Sequence, residues 1–163
     1  MTNALYFGDN LDVLRRHVRD ASVDLVYLDP PFQSGKDYSL IFETRAAAPA
    51  TDRAHATAFK DTWRWGHEAE ASYAEALDTK GPTAGTMRAL RSILGESDVM
   101  AYLCMMAPRL VELRRVLKRT GSLYLHCDPT ASHYLKVLLD GIFGPSCFKN
   151  EVIWRYRRWP SKK

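Results

Sequence analysis

The stretch that most restricts the fold is the largely apolar run from Val23 to Leu28, which ends abruptly at Asp29-Pro30-Pro31. A β-branched, apolar run without strict alternation is typical of a strand buried on both faces, as in a parallel sheet. Proline fixes φ and has no N–H to donate, so the ladder should stop at the acid. The sequence therefore predicts a buried strand with a carboxylate at its tip.

The flanking patterns place this strand in an alternating series of strands and helices. A strand at residues 5–7 and a short helix at 11–18 precede it, which predicts a βαβ unit with a right-handed crossover. The other predictions are an irregular segment over 33–62, a helix over 68–77, a linker over 80–95, a helix that starts after Ser97 and closes at Gly121, a strand over 122–127, a helix over 131–143 and a strand over 148–156. Together they indicate an open α/β sheet in a single domain spanning residues 1–163.

Composition narrows the class of protein further. The net charge of +4 allows a polyanionic partner without requiring one. The three cysteines are scattered and form no CxxC pair, so we expect neither a disulfide scaffold nor a metal site. The N-terminus lacks the charged and apolar regions of a signal peptide, and no apolar stretch is long enough to span a bilayer. We expect a soluble, cytoplasmic protein.

The strand tip can also carry chemistry. In open α/β sheets, ligands bind beyond the carboxyl ends of the strands, which is where Asp29 should lie. Its carboxylate and the Pro30 carbonyl form a rigid pair of acceptors, and Phe32 adds a flat apolar face. Such a site suits a planar ring with an exocyclic amine, which donates two hydrogen bonds while the ring stacks. The alternative is that the prolines merely end a strand.

A wider resemblance favours the chemical interpretation. The stretch Val23-Asp-Leu-Val-Tyr-Leu-Asp-Pro-Pro-Phe32, followed by Ser-Gly-Lys-Asp-Tyr at 34–38, resembles the amino-methyltransferases that modify adenine N6 or cytosine N4 in DNA. It is most similar to their circularly permuted β class, in which the catalytic motif lies near the N-terminus. Supporting stretches are Tyr-Phe-Gly-Asp-Asn at 6–10, Gly-Ser-Leu-Tyr-Leu-His-Cys-Asp-Pro at 121–129, and Phe-Lys-Asn-Glu-Val-Ile-Trp-Arg-Tyr at 148–156.

The resemblance implies a fold, a cofactor and a reaction. It implies a Rossmann-like sheet and S-adenosylmethionine-dependent methyl transfer to a flipped DNA base, adenine N6 first and cytosine N4 second. It implies catalytic roles for Asp29, Pro30, Pro31 and Phe32, and cofactor contacts from Asp9, Asn10 and Asp29. Asp9 could equally cap the helix that starts at Leu11. A role in restriction-modification would follow from membership of this family.

Several polar residues are candidates for contact with the DNA. These are Lys36, His126, Asp128, Arg155, Arg157 and Arg158. The resemblance puts His126 and Asp128 at the edge of the base pocket, while Cys127 between them fits a structural role better. The alternatives are a solvated loop for Lys36 and a frayed, solvated terminus for the three arginines, whose neighbours Trp154, Tyr156 and Trp159 could instead stack on bases.

The chain departs from its family in one respect. Members continue past the stretch at 154–156 into a target-recognition region and a Phe-x-Gly-x-Gly loop that cradles the cofactor, and this sequence has no such loop. We therefore expect a partial catalytic domain with a long insert over 33–95 and the start of a recognition region at 155–163. A complementing C-terminal half or a second copy would complete it. The competing functions are a non-catalytic nucleic-acid-binding module and a methyltransferase for RNA or small amines.

Overall fold

A computed structural model describes residues 3–31, 38–41, 55–59, 63–79 and 81–157, with backbone only at 38–41 and 55–59. Its helices are α1 Asn10–His17, α2 His67–Leu77, α3 Pro82–Leu94, α4 Asp98–Val116 and α5 Ser132–Phe143, followed by a 3₁₀ turn at Pro145–Cys147. Its strands are β1 Val23–Leu28, β2 Tyr38–Ile41, β3 His55–Phe59 and β4 Leu117–Leu125. The mixed α/β class predicted from the sequence is confirmed.

The central sheet of the described residues is a parallel pair, β1 with β4. Its register runs from Val23 opposite Leu117 to Leu28 opposite Leu125. Strands β2 and β3 form a separate antiparallel pair. The prediction that residues 33–62 are irregular is therefore wrong at 38–41 and 55–59, because these two short stretches pair with each other as antiparallel strands.

Helix α4 is the centre of the hydrophobic core. More than half of its residues are buried, and α1, α2, α3 and α5 all pack against it. Ser97 caps its first turn by accepting a hydrogen bond from the Met100 N–H at 3.2 Å, as its sequence position predicts. The helix ends at Val116, however, so the prediction that Gly121 closes it is wrong. Gly121 lies inside β4, where a Cβ would come within 3.0 Å of the Asp24 carbonyl oxygen.

Residues 80–95, predicted as a linker, contain helix α3. Gly81 stands at its N-cap with φ +94°, Pro82 is its first residue, and Gly95 ends it with φ +60°. These residues mark the ends of a helix and do not interrupt one, because proline is well suited to the first helical position and glycine to the C-terminal cap. Four residues at helical spacing bury one side: Thr83, Ala84, Met87 and Leu90.

Two predicted strands do not form. Residues 5–7 and 148–156 have no ladder, and the side chains of Leu5, Phe7, Val152 and Ile153 are at least four-fifths exposed. Apolar residues become strands only when a neighbouring strand takes up their N–H and C=O groups, and the described residues offer these two segments no such neighbour. The βαβ unit predicted at the start of the chain is therefore wrong, although its helix and second strand are present.

The helices cover one face of the β1–β4 pair. Val26 is buried there, and Leu28, Leu123 and Leu125 pack against the same core. On the opposite face the side chains of Leu25, Tyr27 and Tyr124 are 57%, 69% and 53% exposed. The prediction that β1 is buried on both faces is therefore wrong, because no described layer covers this side of the pair. This second surface, formed by Leu25, Tyr27, Ser122 and Tyr124, is called the open face below.

Candidate active site

The tip of β1 is fixed beside the tip of β4. The His126 N–H donates to the Leu28 carbonyl oxygen at 2.9 Å, one step beyond the pairing of Leu28 with Leu125. Because the strands are parallel, their carboxyl ends meet at one edge of the sheet. Asp29 and His126, which follow the two strands directly, therefore lie side by side at this carboxyl edge.

The same two residues continue the open face. Leu25 stands opposite Ser122 and Tyr27 opposite Tyr124, with the two tyrosine rings stacked at 6.3 Å between centroids. Since successive side chains along a strand alternate between faces, Asp29 follows Tyr27 on the open side, and His126 follows Tyr124. The candidate site therefore borders the uncovered face of the sheet, away from the helical core.

Asp29 is exposed, whereas Pro30 and Pro31 are half-buried. Among the described residues, no hydrogen bond or ion pair engages its carboxylate. No described residue thus occupies its oxygens, which can accept hydrogen bonds from a ligand at the strand tip, and the prolines stiffen the backbone behind it. Phe32 and Lys36, two further predicted site residues, lie outside the described residues.

Asp9 and Asn10 are held at the start of α1 by Arg109 of α4. The Arg109 guanidinium donates to both carboxylate oxygens of Asp9, at 2.9 and 2.7 Å, and to Asn10 Oδ1 at 2.9 Å. Asp9 Oδ1 also accepts the Leu11 N–H at 2.8 Å, so Asp9 does cap the helix, as one of the two sequence interpretations predicts. Its cofactor role stays a prediction.

The Asp9 carboxylate keeps some capacity for a ligand. A carboxylate has about four lone-pair sites, and Arg109 and Leu11 occupy three of them. The side chain is 51% exposed, so solvent or a ligand can reach the remaining one. Nothing in the sequence marked Arg109 as a partner, because it lies 100 residues away and at an ordinary position on a helix.

Asp128 has a clear structural task. Its half-buried carboxylate accepts the N–H groups of Thr130 and Ala131 at 3.1 and 3.2 Å, just before α5 begins. These bonds order the turn that carries the chain from the carboxyl edge into the helix. His126 is exposed at the edge. The predicted pocket role of both residues stays a prediction.

Cys127, between His126 and Asp128, packs against the core. It is half-buried, and desolvation together with the carboxylates of Asp128 and Glu151 raises the pKa of its thiol. The thiol is therefore neutral near pH 7 and is a poor nucleophile or metal ligand. Among residues 3–31, 63–79 and 81–157, no three His, Cys, Asp or Glu side chains lie together as a metal site requires.

The arginine-rich segment is exposed, irregular chain. Arg155 and Arg157 are exposed, and Trp154 before them is 80% exposed. At its start, the Lys136 ammonium lies 5.1 Å from the centroid of the Phe148 ring, which ties the segment to α5. Arg158 lies outside the described residues.

No helix in the described part of the chain is long and apolar enough to cross a membrane.

Most of the chain matches a known protein family. Residues 23–163 match the family model of the N6/N4 methyltransferases, described as DNA methylase. The match starts at the first residue of β1 and so includes the Asp29 tip, His126 and the arginine-rich segment.

Three curated relatives carry the same stretch. The Mod subunit of the type III restriction-modification enzyme StyLTI from Salmonella typhimurium is 30% identical over 96% of the chain. The EcoP15I Mod subunit from Escherichia coli is 27% identical over 91%, and the EcoPI Mod subunit from Escherichia phage P1 is 29% identical over 90%. The chain spans only about a fifth of the length of each of these relatives, at 21%, 20% and 20%.

Proposed function

The chain belongs to the N6/N4 family of DNA methylases, and on that premise we propose that it methylates the exocyclic amine of a flipped DNA base. The methyl donor in this proposal is S-adenosylmethionine. The observation that carries it is the exposed Asp29 carboxylate at the carboxyl edge of a parallel strand pair, beside His126 and ahead of two rigid prolines. Adenine N6 is the favoured target and cytosine N4 the alternative.

The strand tip suits an amine that must become a nucleophile. The amine of a paired base is hidden in the stack and its lone pair is delocalised into the ring, so the base must leave the duplex first. Hydrogen bonds from the amine to Asp29 and to the Pro30 carbonyl would favour a pyramidal nitrogen. They would also stabilise the positive charge that grows on this nitrogen as it attacks. Phe32 would stack on the extruded ring.

The residues at the start of α1 fit the donor chemically. Ribose hydroxyls and the adenine amine are hydrogen-bond donors, and Asp9 keeps an exposed acceptor position for one of them. When bound, S-adenosylmethionine supplies the methyl group: an N–C bond forms, the sulfonium C–S bond breaks, and the amine releases one proton. Asp9, Asn10 and Asp29 would hold and align the reactants.

We include in the proposal that the cofactor site is completed by another protein segment, either a C-terminal half or a second copy. The sequence given has no Phe-x-Gly-x-Gly loop to cradle the cofactor. The open face also leaves Leu25, Tyr27 and Tyr124 exposed, which a covering layer would bury. Tight binding of S-adenosylmethionine by a folded monomer, measured by calorimetry, would contradict this part.

The named relatives suggest the biological setting. Each is the Mod subunit of a type III restriction-modification enzyme, and we propose that this chain contributes to DNA modification in a system of that kind. Its DNA contacts would come from Lys36, His126, Asp128 and the arginines at 155–158. The sequence specificity would depend on the recognition region that starts near residue 155.

The test compares Asp29→Ala with the wild type in transfer of tritiated methyl groups to DNA, with duplex binding measured in parallel. Mass spectrometry of the nucleosides separates N6-methyladenine from N4-methylcytosine. We expect Asp29→Ala to abolish transfer and to bind DNA normally, while the control Asp78→Asn, at an exposed position just after α2, changes neither. Transfer that persists in Asp29→Ala would refute the assigned catalytic role.

The missing glycine loop also favours a second candidate, a nucleic-acid-binding module that has the fold without the reaction. In that case no version of the protein, with or without added S-adenosylmethionine, would transfer methyl groups to DNA or to RNA. Duplex binding would then be equal in the wild type and in Asp29→Ala. Competition between DNA and RNA substrates tests whether RNA is the methyl acceptor.

A further inference from the structure

Four exposed arginines share the end of the sheet opposite the candidate site. Arg16 lies in the last turn of α1 and Arg19 just after it, Arg114 lies in the last turn of α4, and Arg119 lies near the start of β4. Each of these elements ends or begins where β1 and β4 begin. The set Arg16, Arg19, Arg114 and Arg119 is called the amino-edge arginines below.

Hydrogen bonds hold these elements together at that end. Arg115 donates to the carbonyl oxygens of Leu14 at 2.8 Å and Val18 at 3.1 Å. Its own carbonyl oxygen accepts the Ala21 N–H at 3.0 Å, and the Val116 carbonyl oxygen accepts the Ser22 N–H at 2.9 Å. The ends of α1 and α4 are therefore fixed to each other and to the start of β1. The amino-edge arginines project from one ordered platform.

The acids at this end already have basic partners. Asp20 and Glu112 pair with Arg115. The two carboxylate oxygens of Asp24 each accept a hydrogen bond from the Lys118 ammonium at 2.8 Å. By contrast, none of the amino-edge arginines makes an ion pair with a described residue. No described acid thus pairs with their positive charge, which should attract polyanions.

The composition of the platform distinguishes between possible partners. Protein interfaces usually bury apolar and aromatic side chains at their centre. Among residues 14–24 and 112–121, all of them described, no large apolar side chain is strongly exposed. The half-exposed ring of Tyr6 stacks on His17 beside the platform, at 5.3 Å between ring centroids. The planar guanidinium groups themselves match the oxygens of phosphates, which the DNA backbone presents at regular spacing.

We propose that the amino-edge arginines bind the phosphate backbone of duplex DNA, at a surface separate from the base-modifying edge. The six residues of β1 put this surface about 20 Å from Asp29. The platform would therefore contact backbone remote from the flipped base. The inference rests on the proposed function only in taking DNA as the substrate.

The test uses fluorescence anisotropy of a labelled duplex, titrated over a range of salt concentrations. The Arg114→Gln/Arg119→Gln variant should lower the slope of log K against log salt by about 1 to 2, because each lost phosphate contact releases about one counterion fewer. The control Arg64→Gln/Arg88→Gln removes the same charge from exposed positions elsewhere. We expect it to change the slope by less than about 0.5.

Three results would overturn the inference. The first is an equal effect of the two double variants on the affinity and the slope. The second is no binding of the wild type to the duplex at low salt. The third concerns the variant in which glutamine replaces all four amino-edge arginines. If this variant loses binding to polyglutamate and keeps binding to duplex, the surface serves an acidic protein partner. Circular dichroism and urea unfolding establish that each variant is folded.

The same measurements separate this inference from the proposed function. If Asp29→Asn binds duplex with the wild-type salt slope but transfers no methyl group, the platform and the catalytic edge act independently, as we infer. If no version transfers methyl groups while the amino-edge variants still lose affinity, the proposed reaction fails and the phosphate-binding surface stands.

Discussion

The contact between Arg109 and Asp9 should be a measurable source of stability, because it joins the start of α1 to the middle of α4. The two side chains are 18% and 51% exposed, so the pair is neither fully solvated nor buried. Exposed pairs contribute about 0 to 1 kcal/mol, and hydrogen bonds to charged groups about 1.5 to 3. Because one guanidinium nitrogen, Nη2, donates to both carboxylate oxygens, we expect the pair to contribute about 1 to 2 kcal/mol.

Two substitutions at Asp9 separate the ion pair from the helix cap. Serine retains an N-cap oxygen for the Leu11 N–H and removes the carboxylate, so Asp9→Ser should cost about 1 to 2 kcal/mol. Asp9→Ala also loses the cap, which adds about 1 kcal/mol. Arg109→Met keeps most of the apolar stem and removes the guanidinium. Its cost should exceed that of Asp9→Ser slightly, because the contact with Asn10 is lost as well.

The assay is urea unfolding of the four members of a double-mutant cycle, Asp9→Ser with Arg109→Met. A coupling energy of about 1 to 2 kcal/mol should appear, and for a chain of this size each single variant should shift the midpoint by about 0.5 to 1 M urea. High salt should reduce the coupling, since both groups are partly exposed. Arg114→Met, an exposed arginine without a described partner, is the control and should change stability by less than about 0.5 kcal/mol.

A coupling energy below about 0.3 kcal/mol would refute the reasoning, because it lies within the error of additive effects. So would equal stabilities of Asp9→Ser and Asp9→Ala, since the Leu11 N–H would then not depend on a capping oxygen. The first result would remove the ion pair, and the second the helix cap, from the structural roles of Asp9.

Three further outcomes follow from the packing. Gly141→Ala should destabilise the protein by about 1 to 3 kcal/mol in urea unfolding, because a Cβ would lie 2.8 Å from the Cβ of Thr86, whereas Gly85→Ala, with open space around it, should stabilise it by up to about 1 kcal/mol. A thiol reagent at pH 8 should label exposed Cys147 quickly and buried Cys104 only on unfolding; rapid labelling of Cys104 in the native protein would contradict its burial. Burial raises the pKa of the Cys104 thiol to about 12. The stability that the neutral thiol contributes is therefore fully present below the pKa of the thiol in the unfolded chain, and it is lost as the pH rises from about 9 towards 12. The free energy of unfolding should therefore fall less steeply over this range in Cys104→Ala, and equal slopes would refute the shift.

The parts of the fold that the sequence predicted are those whose signals are local and complete. The start of α4 follows from the Ser97 cap and from apolar residues at steps of three and four. The strand β1 follows from an apolar run that ends in two prolines. The linker prediction over residues 80–95 rests on Gly81-Pro82 and Gly85. It is wrong because Gly81-Pro82 stands at the start of α3, where these residues favour a helix, and the helix tolerates Gly85 in its interior.

The residues of the candidate site also differ in how far the sequence could predict their positions. That Asp29 stands at a strand tip could be predicted from the run before it. That His126 is its neighbour required a second strand with a matching register, which depends on contacts nearly 100 residues apart along the chain. The contact between Arg109 and Asp9 could not be predicted for the same reason, because nothing in the local sequence of a helical arginine indicates its distant partner.

The failed strands and the open face have one physical cause. A strand is stable only when a neighbour satisfies its backbone groups and another layer covers its apolar side chains. Residues 148–156 have the composition of a strand, and Tyr27 and Tyr124 have the side chains of a buried face, yet the described residues supply neither a neighbour nor a covering layer. Asp29 and His126 border this same face. A segment that covered the tyrosines would therefore also lie beside the candidate site.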